Sequence, residues 1–181
     1  RAPGDISDAF VLTTRAFEIA ERFQVPVFVL CDQLLLDGQA VIEPPAKDDL
    51  PTRRHLLDKS ELEAMARYRR YEQTESGISP LAAPGTSHHT VVVDSDEHDE
   101  EGHLTESGET AARMAAKRQR KDATLGREEF CEPLLEGDPA SRHLLVSWGS
   151  TFPTLSEARS LLGQRGIETA HLHLRQLWPL P

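Results

Sequence analysis

Residues 25 to 31 read VPVFVLC, an apolar run with no polar alternation. A strand of this kind is covered on both faces, which restricts it to a parallel sheet with helices on each side. The preceding segment agrees. Asp5 and Ser7, after Pro3-Gly4, offer side-chain oxygens to cap a helix. Ala9, Phe10, Ala16, Phe17 and Ala20 recur near the helical period and mark its inward face, leaving Arg15, Glu18 and Glu21 for solvent. Pro26 disfavours helical backbone at Val25, so the helix ends near Phe23 or Gln24. Helix followed by apolar strand is half of a doubly wound α/β unit.

A second unit begins near Ser141. His143 to Trp148 (HLLVSW) reads as a strand, Gly149-Ser150-Thr151 as a turn, and Leu155 to Arg165 as a helix closed by Gly166. Ile167 to Leu174 alternates as the next strand, with His171 and His173 on one wet or interfacial face. Strand, helix, strand is a βαβ unit with a parallel pair. It stops after two strands, so residues 141 to 181 carry an open sheet edge and poor stability in isolation. The Trp148 to Thr151 turn lies where phosphates often bind, but the glycine-rich fingerprint is absent.

The middle is less regular. Residues 43 to 60, with Pro44, Pro45 and Pro51, read as an exposed connector. Ser60 to Tyr71 holds a helical turn or two, with Ser60 as N-cap and Glu63 three residues on. Its cluster of Arg67, Arg69 and Arg70 between Tyr68 and Tyr71 reads as a docking contact or a solvated face. Leu104 to Asp122 is a longer helix. Thr105 caps it, acids fill its first turn, and Lys117, Arg118, Arg120 and Lys121 its last. The polar stretch 124 to 139 is the boundary. The expected divisions are therefore 1–40, 41–140 and 141–181.

Val91 to Glu106 reads VVVDSDEHDEEGHLTE. Three β-branched residues suggest a short strand. Seven carboxylates then fall within residues 94 to 106. Three readings are open: a cation site, a solvated loop, or a strand-end loop facing an active site, as loops at carboxyl ends of strands do in α/β folds. Asp94, Asp96, His98 and His103 offer ligands. Counting from Asp94, however, Asp99 and Thr105 stand where a calcium-binding EF-hand loop needs Gly and Glu.

The formal net charge of -10 argues against broad nucleic-acid binding and against an anionic membrane surface. No apolar run approaches the roughly 20 residues of a membrane helix. Cys31 and Cys131 are read as free thiols of a reducing cytosol, and no cysteine-rich pattern offers an iron–sulfur site. The chain opens at Arg1 without Met and reads as an excerpt from a longer, cytoplasmic polypeptide.

The order of motifs carries a resemblance. PGD (3–5), AFEIAERF (16–23), VPVFVLCDQLLLD (25–37), RYEQTESGISPLAAPG (70–85), VVVDSDEHDEEGHLTE (91–106), LLVSWGST (144–151) and HLRQLWPLP (173–181) follow one another over nearly the whole chain. This series resembles the α subunit of 2-oxoacid:ferredoxin oxidoreductases of the 2-oxoglutarate type. The resemblance implies oxidative decarboxylation of a 2-oxoacid to an acyl-CoA, with ferredoxin reduced. It implies thiamine diphosphate, Mg²⁺ and an iron–sulfur cluster in the complete complex, the last two with the diphosphate on a β subunit. Coenzyme A and ferredoxin are the further partners. Residues 1–40 would end the pyrimidine-binding domain, 41–140 would connect, and 141–181 would begin a domain like the carboxyl-terminal one of transketolase. The family's catalytic glutamate lies in an earlier region, so no catalytic, cofactor-binding or metal residue is assigned here, and the segment alone is expected to be inactive. Asp94, Asp96 and His98 are expected to face the active site. The rival expectations are a non-catalytic α/β assembly module, or cation binding by the acidic loop.

Overall fold

The computed structural model describes residues 1–46, 50 and 53–180. Contacts divide the chain into two compact units. One contains Arg1–Ala20, Val25–Thr52 and Phe130–Pro181; the other contains Glu21–Gln24 and Arg53–Glu129.

In the first unit, helix α1 (Ile6–Phe23) starts where Asp5 accepts the Asp8 N–H at 2.7 Å. Its buried face is Leu12, Ala16 and Ile19, while Phe10 and Phe17 are exposed. The inward face is thus rotated from the one expected. The choice between the two apolar stripes was tertiary, since both have helical spacing. The run 25–31 is extended but joins no strand among the described residues. Its Leu30 N–H donates to the Arg1 carbonyl at 2.8 Å. Val27 and Val29 are half-buried, whereas Phe28 is 72% exposed. Only one face of this run is covered here. Asp32 then caps a short helix, α2 (Gln33–Asp37).

The carboxyl-terminal part follows the expected βαβ pattern. Strand β2 (His143–Trp148) and strand β3 (Thr169–Leu174) pair in parallel, joined by α5 (Thr151–Gln164). Gly166 takes φ 75° just beyond that helix, the left-handed position its lack of Cβ permits. A short strand β1 (Leu134–Glu136), unexpected from its polar surroundings, pairs antiparallel with β3. The sheet is therefore mixed, ordered β1-β3-β2, with β3 in the centre. The phosphate-like turn before α5 is occupied by protein: the Ser150 N–H donates to Asp32 Oδ2 at 3.2 Å.

His171 and His173 are fully buried, not wet. Ser147 Oγ lies 2.7 Å from His171 Nε2 and 2.8 Å from His173 Nδ1. His171 Nδ1 meets Glu136 Oε2 at 3.1 Å, and Ser156 Oγ donates to that oxygen at 2.6 Å. Facing a carboxylate, His171 Nδ1 is the donor. The direction of the neutral chain is then His173 to Ser147 to His171 to Glu136. Phe152 packs against both rings. His173 Nε2 is buried without a partner, and a Cβ on Gly4 would approach it to 2.8 Å. Central position in the sheet, under α5, is what closed off this face.

In the second unit, helix α3 (Lys59–Ala64) is capped by Asp58 with Glu61 in a reciprocal box, two residues before the cap expected at Ser60. Leu62, Tyr68 and Ala82 form its core, with Leu57, Met65 and Val91 packed around them. Val91 to Val93 form no strand, and Val93 is exposed. The β-branched run serves packing, with no ladder partner. Helix α4 (Gly108–Glu128) is capped by Ser107, not Thr105, and runs past Asp122 into the polar stretch expected to be the boundary.

Burial, and then the neighbouring His171, pull the His173 pKa below its usual value. A histidine so lowered contributes stability above its unfolded pKa of about 6.5 that is lost as pH falls through that value towards the folded one. The melting temperature should therefore fall between about pH 7 and 5. His173→Asn, which keeps a donor near Ser147, should flatten that slope; equal slopes in both proteins would contradict this assignment.

Candidate functional site

The acidic segment folds as a closed turn within the second unit. His98 and Leu104 form an isolated antiparallel bridge. The Asp99 N–H donates to the His103 carbonyl and the Thr105 N–H to the Glu97 carbonyl, each at 2.9 Å. Asp99 Oδ1 heads the turn, accepting the N–H groups of Glu101 at 2.9 Å and His103 at 3.0 Å. Burial opposes its charged form, but these amide donors outweigh burial and hold the carboxyl below its usual range. Gly102 completes the turn at φ 93°, with its Cα against the Val92 carbonyl.

Three of the other carboxylates meet arginines. Glu97 takes Arg118 through both oxygens, at 3.2 and 2.7 Å, and its pKa is lowered chiefly by that contact. Glu100 pairs with Arg69 at 3.4 Å and accepts the Gln73 N–H at 3.1 Å. Glu101 pairs with Arg67. The basic cluster at 67–70 is thus in part a docking contact for the acidic loop of the same chain. Repulsion along the run is relieved by cations, each pair being partly solvated and individually modest.

Of the three residues expected at an active site, Asp94 accepts the Asp96 N–H at 2.8 Å. The Asp96 carbonyl lies 2.7 Å from His98 Nδ1, which must therefore carry the proton. The three are linked in series, and His98 lines a cavity. Its ring stacks on Tyr71 with centroids 3.7 Å apart. A space of about 190 Å³ adjoins this pair, lined also by Gln24, Arg70, Met114, Lys117, Arg118 and Lys121. Lys117 Nζ donates to the Tyr71 carbonyl and Lys121 Nζ to the Gln24 carbonyl, each at 2.7 Å, and Arg70 donates to Gln24 Oε1 at 2.9 Å. The lysines were read from sequence only as charges suited to a helix end. Their i, i+4 spacing was the available sign that they share a face.

The residues 1–117 match the model of the pyruvate flavodoxin/ferredoxin oxidoreductase, thiamine diphosphate-binding family. The chain belongs to this family. It is 37% identical over 190 aligned residues to the 2-oxoacid:ferredoxin oxidoreductase 2 subunit alpha of Aeropyrum pernix, covering 99% of this chain and 28% of that one. It is 32% identical to subunit alpha of 2-oxoacid:ferredoxin oxidoreductase 1 of Sulfurisphaera tokodaii, with the same coverages. Among solved structures, the 2-oxoglutarate:ferredoxin oxidoreductase of Magnetococcus marinus, with 2-oxoglutarate, coenzyme A and succinyl-CoA bound, matches with a TM-score of 0.82 and 30% identity, over 99% of this chain and 31% of that one. The chain thus spans under a third of the length of these relatives.

Holding a diphosphate through a divalent cation takes several oxygen ligands on one ion. Among the described residues no group of three or more His, Cys, Asp or Glu is gathered to hold a metal. In the acidic loop Glu97, Glu100 and Glu101 are spent on arginines, and Asp94 and Asp99 on turn amides. These residues do not fit the cation–diphosphate end of thiamine diphosphate, and no chemical step passes through it here. The same observation weighs against the acidic run as a cation site.

A Cβ at residue 102 would lie 2.4 Å from the Val92 carbonyl oxygen. Gly102→Ala should therefore destabilise the turn by about 1–3 kcal/mol from backbone strain alone, read as a lower melting temperature. Gly108→Ala meets no atom within 4 Å at the start of α4 and should be neutral or stabilising by about 0.4–1 kcal/mol.

Proposed function

We propose that this chain is part of the α subunit of a thiamine-diphosphate-dependent 2-oxoacid:ferredoxin oxidoreductase, converting a 2-oxoacid to an acyl-CoA as ferredoxin is reduced. The observation that carries the reading is likeness along the whole chain to α subunits of that name. The substrate we favour is 2-oxoglutarate, supported by the solved structure that carries it. In this reading a β subunit completes the active site and brings Mg²⁺ and an iron–sulfur cluster, and the complex is cytoplasmic. Residues 1–40 end the pyrimidine-binding domain, 41–140 connect, and 141–181 begin the transketolase-like domain.

Thiamine diphosphate, when bound, supplies the electron sink that lets a 2-oxoacid lose carbon dioxide. The segment Asp94 to His98 is assigned to face that site in an ordering role. Asp94 fixes the backbone of Asp96, whose carbonyl fixes the proton on His98 Nδ1 and leaves Nε2 as an acceptor. No proton transfer is assigned to the carboxylates.

The test uses the assembled complex with full-length subunits. Asp94→Ala, which removes the acceptor for the Asp96 N–H, and His98→Ala, which removes the ring, should each lower kcat/KM for the 2-oxoacid about tenfold, corresponding to ~1.4 kcal/mol. Unchanged turnover and KM in both variants would remove the loop from the active site. Turnover should also be faster with 2-oxoglutarate than with pyruvate; the reverse order would overturn the substrate assignment alone.

A further inference from the structure

We propose that the cavity beside the Tyr71–His98 stack is a binding site for a phosphate group. Arg70, Lys117 and Lys121 face it, and the oxygens they bond are all neutral: the carbonyls of Tyr71 and Gln24 and the side-chain amide of Gln24. Lys117 is only 4% exposed. The nearby acids are committed elsewhere, Glu97 to Arg118 and Glu100 to Arg69. A cation taken from water without a counter-ion is costly, and like charges four apart on a helix add repulsion. The Lys117 pKa registers this. Burial first, and then Lys121, Arg70 and Arg118, draw it down to about 8, against a smaller upward pull from Glu100.

An oxyanion would reverse each of these penalties. Each ammonium has three N–H groups and the guanidinium five, so donors remain after the bonds named above. A cavity of about 190 Å³ admits a tetrahedral phosphate with attendant waters, each of which takes roughly 30 Å³ in the liquid. Arg118, which also lines the cavity and is already shared with Glu97, adds charge. A purely structural role also exists. Lys121 and Arg70 tie down Gln24, which leaves α1 at φ 52°. That role requires no ligand, so binding itself discriminates between the two.

The probes are orthophosphate and pyrophosphate, titrated calorimetrically into the assembled complex already saturated with thiamine diphosphate, so that its own diphosphate site is filled. One saturable site per α chain is expected. Arg70→Gln and Lys121→Gln should each weaken it about tenfold or more. Arg113→Gln, also on α4 but paired with Glu109 and not among the residues lining the cavity, should leave affinity unchanged. Acylation of Lys117 and Lys121, mapped by mass spectrometry of the wild-type complex, should slow when pyrophosphate is present. This second readout holds even if a variant fails to fold. Absence of saturable binding, equal affinity in folded Arg70→Gln and Lys121→Gln variants, or unprotected lysines would overturn the proposal.

Discussion

The ammonium of Lys117, buried on α4 with a backbone carbonyl as its hydrogen-bond partner, is the constraint around which the second unit is arranged. The carbonyl it holds belongs to Tyr71. The N–H of the same residue donates to the Glu100 carbonyl at 2.9 Å, so one residue joins α4 to the acidic loop. The Tyr71 ring adds the His98 stack, with Arg70 over it at 4.8 Å from ring centroid to guanidinium carbon. The loop then returns its carboxylates to Arg67, Arg69 and Arg118. Arg67, Arg69 and Arg118 are therefore paired with the loop inside the unit, while Arg70, Lys117 and Lys121 at the cavity bond neutral oxygens.

What was legible in the sequence followed from local rules. The β2 strand begins and ends at the residues expected, because HLLVSW is flanked by a polar turn and a glycine. The end of α1 at Phe23 follows from Pro26, and the bend beyond α5 from Gly166. The family was legible in the order of motifs. What was not legible depended on partners distant in sequence. VPVFVLC and VVV have strand composition, but a strand also needs a neighbour to bond. The sequence pattern alone does not supply one.

The same limit explains the histidines. Spaced i, i+2 on β3, they share one face, and sequence leaves open whether water or protein covers it. β1, β2 and α5 close it off, bringing Glu136, Ser147, and Ser156 with Phe152, respectively, to the rings. The polar atoms are then satisfied internally, save His173 Nε2, as burial of polar groups requires. The acidic run shows the converse. Its composition suggested a cation site, whereas the arginines at 67, 69 and 118 and the turn amides supply the positive charge and donors it needs.

The account stands on the acidic segment being an ordered, charge-paired turn. Hydrogen exchange of the amides of Asp99, Gly102 and Thr105 in the full α subunit tests this most directly, because each donates to a carbonyl within the turn. The account predicts slow exchange in the wild-type protein and faster exchange once Arg118→Gln removes the partner of Glu97. Exchange at the rate of an unstructured peptide in the wild-type protein would contradict it.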